Sequence, residues 1–253
     1  MADKVTIVAL YCGIRTGHFG QGSFYRALMS MLQRQDDFGL AIISTDDADV
    51  EFVTQQTEVN IPILRIPRPE NQLFITCEDN VVQKQYAKRV AEIIAPFLQR
   101  VSTCHKFIFI ANSCDYLHLS IELKRRFYCK IAYIHHSWFW KQVLNIEDET
   151  FAGLIKNSKN DAQIHQDNPF TQLIFQQLEM ARNADQVITV TKQSLNLFTC
   201  LLGDNLSIKN IYNGVCFEEN ILVNRIRPSN HVLALKDFAL RSSVAAGYGI
   251  DSA

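Results

Sequence analysis

Apolar residues along this chain recur in two alternating rhythms. Short β-branched runs, as in Val5-Thr6-Ile7-Val8-Ala9-Leu10, suit strands of a central parallel sheet covered on both faces. Between them lie stretches whose apolar positions fall three and four apart, the period of a helix with one buried face. The first strand leads into a Gly-containing loop from Gly13 to Gly22, after which Ser23 can cap a helix with Phe24, Ala27, Leu28, Met31 and Leu32 on one side. Leu40 to Ser44 and Ile61 to Ile66 are the next strand candidates, the latter stopped by Pro67 and Pro69 and placed near an edge. A helix is predicted over Val81 to Leu98, carrying Val82, Tyr86, Val90, Ile93, Ile94 and Phe97. Then follow a strand at Phe107 to Ala111, a helix around Leu117 to Arg126, a strand at Ile131 to Ile134, a helix closing at Asp185, a strand at Gln186 to Thr191 and a helix from Lys192. A last apolar run, Ile208 to Val215, ends in Tyr-Asn-Gly-Val. Asn145 to Asn168 is the longest irregular candidate, partly open to helix. The alternation predicts an α/β fold with a mostly parallel, twisted sheet flanked by helices.

Length and charge narrow this little. A chain of 253 residues with 47% apolar content suffices for one large core, and a net charge of −1 favours no polyanionic partner, so nucleic acid is not expected. The seven cysteines form no Cys-x-x-Cys pair and several sit in apolar runs, which predicts reduced, packed thiols and an intracellular setting. Met1-Ala2-Asp3-Lys4 runs directly into the first strand, and no apolar stretch has the length of a bilayer span. The expectation is a cytoplasmic chain, free or peripheral to a membrane.

Asn213 and Gly214 tolerate the left-handed backbone of a sharp turn at a strand's carboxyl end, the end at which open α/β sheets bind ligands. The loop holding Gly20, Gln21 and Gly22 opens a helix, whose N-terminal N–H groups can face an anion. It matches neither Gly-x-Gly-x-x-Gly nor the Gly-Lys-Ser/Thr of triphosphate loops. His135 and His136 end a strand beside Trp138. Adjacent histidines point to opposite sides in extended backbone, and no Cys or carboxylate stands at ligand spacing, so no metal is expected. Asn112 and Asp115 follow another strand, where they line a cleft or cap the next helix. Arg15 and His18 read as a solvated loop.

The run from Glu179 through Ala184-Asp185, Gln186 to Thr191, the helix from Lys192 and the closing Asn213-Gly214-Val215 resembles the end of the N-terminal domain in family 4 retaining glycosyltransferases of the GT-B fold. The resemblance covers most of residues 4 to 216 and implies a Rossmann-like, acceptor-side half of such an enzyme, at 1–220, with 221–253 as connection and no donor domain. It implies transfer of a sugar from a nucleotide-sugar donor to a sugar, lipid or protein acceptor, with no other cofactor. Activity alone would be weak or absent, and a donor-binding domain would be supplied in cis or in trans. On the same basis His136 or His135 contacts the transferred sugar as the catalytic candidate. Gly20, Gln21, Gly22, Asn112, Trp138, Asn213 and Gly214 would bind donor or acceptor. A non-catalytic partner subunit that binds carbohydrate or protein through the same cleft is the alternative, and a dinucleotide oxidoreductase is disfavoured by the missing glycine pattern.

Overall fold

A computed structural model describes residues 5–12, 28, 32, 38–46, 52–55, 61–67, 80–102, 106–136, 138, 147–158, 169–203 and 206–211. Within them the strands are β1 (Val5–Cys12), β2 (Phe38–Asp46), β3 (Phe52–Gln55), β4 (Pro62–Pro67), β5 (Phe107–Ala111), β6 (Cys129–His135), β7 (Gln186–Thr189) and β8 (Ile208–Asn210). The α-helices with defined bounds are α1 (Asn80–Val101), α2 (Leu117–Arg126), α3 (Asp148–Ser158), α4 (Pro169–Asn183) and α5 (Lys192–Leu202). All eight strands form one sheet in the order β3-β4-β2-β1-β5-β6-β7-β8. Neighbours run parallel except β3, which is antiparallel to β4.

The expected α/β architecture is therefore present. Three details refine the expectation. Phe52–Gln55 adds an edge strand beyond β4, pairing Phe52 with Arg65 and Gln55 with Pro62, so β4 lies one place in from the edge. The segment after Asn145 contains the α3 helix, whose Phe151, Ala152 and Ile155 are buried on helical spacing. α1 continues past Leu98 to Val101 and tolerates Pro96 at an exposed position.

Burial follows the two faces of the sheet. Val8, Leu10, Ile43, Leu64, Phe109, Ile131 and Tyr133 belong to the larger core cluster, with Val90, Ile94 and Phe97 of α1 and Leu123 of α2. Ala9, Tyr11, Ile42 and Ile63 form a smaller cluster on the opposite face, against which the helical residues Leu28 and Leu32 pack. Strand residues thus alternate between two covered faces, as continuous β-branched runs require.

Asp185 locks the amino-terminal edge. Its carboxylate accepts from the Ile131 N–H (2.9 Å) and from Lys130 Nζ (2.9 Å), and pairs with Lys124 Nζ at 3.0 Å. Lys124 also donates to the Asn183 carbonyl. One side chain thereby joins the end of α2, the start of β6 and the α4–β7 junction, which gives the Ala184-Asp185 dipeptide a structural purpose.

Candidate functional site

Parallel strands in register bring their carboxyl ends to one edge, where open α/β sheets form ligand crevices. At the end of β5 the chain turns abruptly. Ser113, in extended conformation at φ −141°, caps the 3-10 turn Cys114–Tyr116 by accepting from the Asp115 N–H at 3.2 Å. The turn is anchored from outside by Gln176, whose Nε2 donates to the Cys114 carbonyl at 3.1 Å. Capping was one of two uses open to Asn112 and Asp115. Ser113 performs it, and Asp115 is exposed.

Asn112 is left in an unusual state. It is 4% exposed, yet among the described residues neither its Oδ1 nor its Nδ2 has a hydrogen-bond partner. An amide shut away from water without partners costs several kcal/mol by transfer from water, on the order of 1–3 kcal/mol by mutational measure. Register defines its neighbours. Leu10 lies beside Ala111, so the next positions, Tyr11 and Asn112, are adjacent; Tyr11 pairs with Ser44, and Ser44 with Arg65. Arg65, Ser44, Tyr11 and Asn112 consequently form one polar row across β4, β2, β1 and β5, on the face of the smaller cluster. About 14 Å separates its ends at the usual strand spacing. The sequence reading missed Tyr11, Ser44 and Arg65. The signal was a polar side chain two residues beyond the last apolar position on that face of each strand.

Register also separates the two histidines. Ile110 pairs with Ala132, and alternation through Ile134 carries His136 onto the face of Asn112. His135 takes the other face, with Tyr133. It is 1% exposed and ringed by aromatics, with centroid distances of 4.7 Å to Trp138, 4.8 Å to Phe198 and 5.9 Å to Tyr133. Among the described residues neither His135 nitrogen has a hydrogen-bond partner. Burial, reinforced by His136, lowers its pKa to about 3, so the imidazole is neutral at physiological pH. His136 is half-buried, and burial lowers its pKa to about 4. A neutral imidazole can donate or accept, but it carries no positive charge to offer a leaving diphosphate.

Trp138 corrects an expectation. Its indole is 3% exposed and packs against His135, against Phe198 at 4.7 Å and against Phe151 at 5.7 Å. Its surfaces are taken up by protein rings, so it fills the space beneath α3 and α5 instead of offering a platform for a sugar.

Farther along the edge, Thr191 caps α5 by accepting from the Ser194 N–H at 3.1 Å. The Asn210 amide, turned with nitrogen inward, donates to Thr189 Oγ1 at 3.2 Å and to the Thr191 carbonyl at 3.0 Å. β7 and β8 are thereby tied where the chain turns into α5. Gly20, Gln21, Gly22, Asn213 and Gly214 lie outside the described residues, as do Arg15 and His18.

No protein-family model matches the sequence, and no curated protein matches it significantly. Solved structures do match in fold. Sucrose-phosphate synthase from Thermosynechococcus elongatus superposes with TM-score 0.54 at 13% identity, covering 83% of this chain and 48% of its own. The apo structure of OtsA gives 0.53 at 12% identity, over 92% of this chain and 55% of its own. An E. coli protein described as trehalose-6-phosphate, bound with UDP-2-fluoro glucose, gives 0.50 at 13% identity, over 93% and 54%. The chain spans about half the length of these proteins and shares the fold of the half that it covers.

Proposed function

We propose that this chain is the acceptor-side domain of a retaining glycosyltransferase that moves a sugar from a nucleotide-sugar donor to an acceptor. In this reading a donor-binding domain, in the same chain or another, completes the cleft, and the described domain has little transfer activity of its own. The observation that carries it is the unpartnered Asn112 amide within a polar row at the carboxyl edge of a GT-B-type sheet. A side-chain amide offers one acceptor and two donor hydrogens, which suits a sugar hydroxyl that both gives and takes a hydrogen bond. Filling those valences would remove the desolvation cost that the empty amide bears. His136, on the same face, is the catalytic candidate. As a neutral imidazole it acts by hydrogen-bonding a hydroxyl of the transferred sugar. His135, enclosed by rings, holds the strand end in place.

The discriminating experiment compares sugar and sugar-phosphate binding to the 253-residue chain and to Asn112→Leu by ligand-observed NMR. The expected outcome is weak binding by the parent chain, lost on the order of tenfold or more in the variant as one hydrogen-bonded contact disappears. The melting temperature should be unchanged or higher, because an apolar isostere replaces an unsatisfied amide. Equal binding by both proteins would remove Asn112 from the site. Binding without transfer, when nucleotide sugars and a complementary donor domain are present, would favour the non-catalytic partner.

A further inference from the structure

The opposite edge of the sheet has a different chemistry. Residues 80–130 carry nine Lys and Arg against three Asp and Glu, in a chain whose net charge is −1. The elements in this stretch, α1, β5, α2 and the start of β6, place much of that charge at one edge. α1 and α2 run back against the strands they precede, so Arg100 and Arg125 in their last turns reach the edge from which β5 and β6 start. Lys106 immediately precedes β5, and Lys130 lies at the start of β6. All four are exposed.

Cations at helix C-termini complement the helix dipole, and that alone would explain Arg100 and Arg125. It does not explain the apolar surface among them. Tyr128, between α2 and β6, is 78% exposed, and Ile121, one helical turn before Arg125, is 37% exposed. The Phe107 N–H donates to the Tyr128 carbonyl at 3.3 Å, which holds the main chain at Tyr128 next to the start of β5. Arg125 pairs with Glu122 at 3.0 Å and Lys130 with Asp185 at 2.9 Å, which compensates part of the charge. The positive surplus of the stretch persists after both.

We propose that the amino-terminal edge formed by Arg100, Lys106, Ile121, Arg125, Tyr128 and Lys130 is a docking surface for an anionic lipid bilayer. An exposed tyrosine and isoleucine among cations suit the headgroup boundary, where an amphipathic ring has one wet end and one apolar body and basic side chains meet anionic lipids. A polyanionic rod engages the charge alone, whereas a bilayer takes up the charge and the two apolar side chains together. Attachment is peripheral, since no helix among the described residues is long and apolar enough to cross a membrane. It leaves the carboxyl edge with Asn112 and His136 directed away from the lipid, and it does not depend on the transfer reading.

Flotation of the 253-residue chain with vesicles tests this directly. The protein is expected to float with equimolar phosphatidylcholine and phosphatidylglycerol, to stay behind with phosphatidylcholine alone, and to be released at high ionic strength. The paired change Arg100→Glu with Tyr128→Ser alters exposed positions only, so the melting temperature should hold while the bound fraction falls on the order of tenfold. Absence of flotation with the anionic vesicles would overturn the proposal, as would undiminished flotation of the double variant. Binding to polyglutamate or RNA in place of the anionic vesicles would reassign the surface to an acidic protein or a nucleic acid, and equally overturn it.

Discussion

His135 shows how far a single residue can be read from its neighbours in sequence. A histidine at a strand end beside aromatics fits a ligand contact as well as a core ring, and only the direction of its side chain decides. Strand alternation sends His135 into Tyr133, Trp138 and Phe198 and sends His136 to the face of Asn112. That direction has a consequence in acid. The folded pKa of His135, about 3, lies below the usual 6.5, so the unfolded chain takes up the proton first as pH falls. Its contribution is complete above about pH 6.5 and is lost on descent toward 3, with His136 acting likewise down to about 4. Each histidine contributes a slope of up to about 1.4 kcal/mol per pH unit, or about 2 kcal/mol lost at pH 5. His135→Phe should lower the slope of urea-unfolding free energy between pH 6 and 5, with the remainder coming from His136 and the part-buried His118, while costing under about 1.5 kcal/mol at neutrality. An unaltered slope would show that His135 is not the titrating core group. Residue identity suggested Asn112 and His136 as site candidates. It could not reveal Tyr11, Ser44 or Arg65, because each reads as an ordinary strand position until parallel register aligns them.

At the level of elements, strands and helices with a strong period were legible and weak ones were not. α2 was expected over Leu117 to Arg126 and occupies that span. Phe52–Gln55 escaped notice because four residues are too few to show alternation, and their strand character comes from pairing with β4. The Asn145 to Asn168 stretch was open to helix, but the bounds of α3 within it were not legible, because polar residues surround its few apolar positions and its stability comes from packing against α5. The joints between elements depend on specific polar contacts that no period encodes. Removing the Asp185 carboxylate by Asp185→Ala should cost about 2 kcal/mol, since the buried Ile131 would lose its N–H acceptor and Lys124 its partner. Burial alone would raise the pKa of Asp185, but the Ile131 N–H and the two lysines outweigh it and hold the carboxyl below its usual 3.8. Its stabilisation is thus present above that value and lost as pH falls through the folded pKa. Thermal unfolding carried from neutral pH to below 3.8 should show a constant gap between wild type and the Ala variant above that value and convergence below it. Gly39 marks a second joint: a Cβ there would stand 2.9 Å from Thr6 Oγ1, which is held by a 2.7 Å hydrogen bond to Ser102. Gly39→Ala should therefore lose about 1–3 kcal/mol in chemical denaturation. A smaller change would mean that Thr6 can rotate without loss.

For the whole molecule, the alternation of strand and helix was enough to infer a two-faced parallel sheet, while the order of its strands was not. That order puts β1 at the centre, between β2 and β5. Its partner on one side is made soon after it. The other lies about a hundred residues downstream, and the hydrogen bond joining Thr6 to Ser102 spans 96 positions of sequence. A ribosome making this protein from its amino terminus therefore releases Val8, Ala9 and Leu10 long before Phe107 to Ala111 can cover their open side. Closing so long a loop is slow, and an apolar strand with a free edge is a template for pairing with the wrong chain. The segment that organises the finished sheet is thus the one with the longest exposure during synthesis, and the nascent chain's demand for chaperones should peak just before β5 emerges.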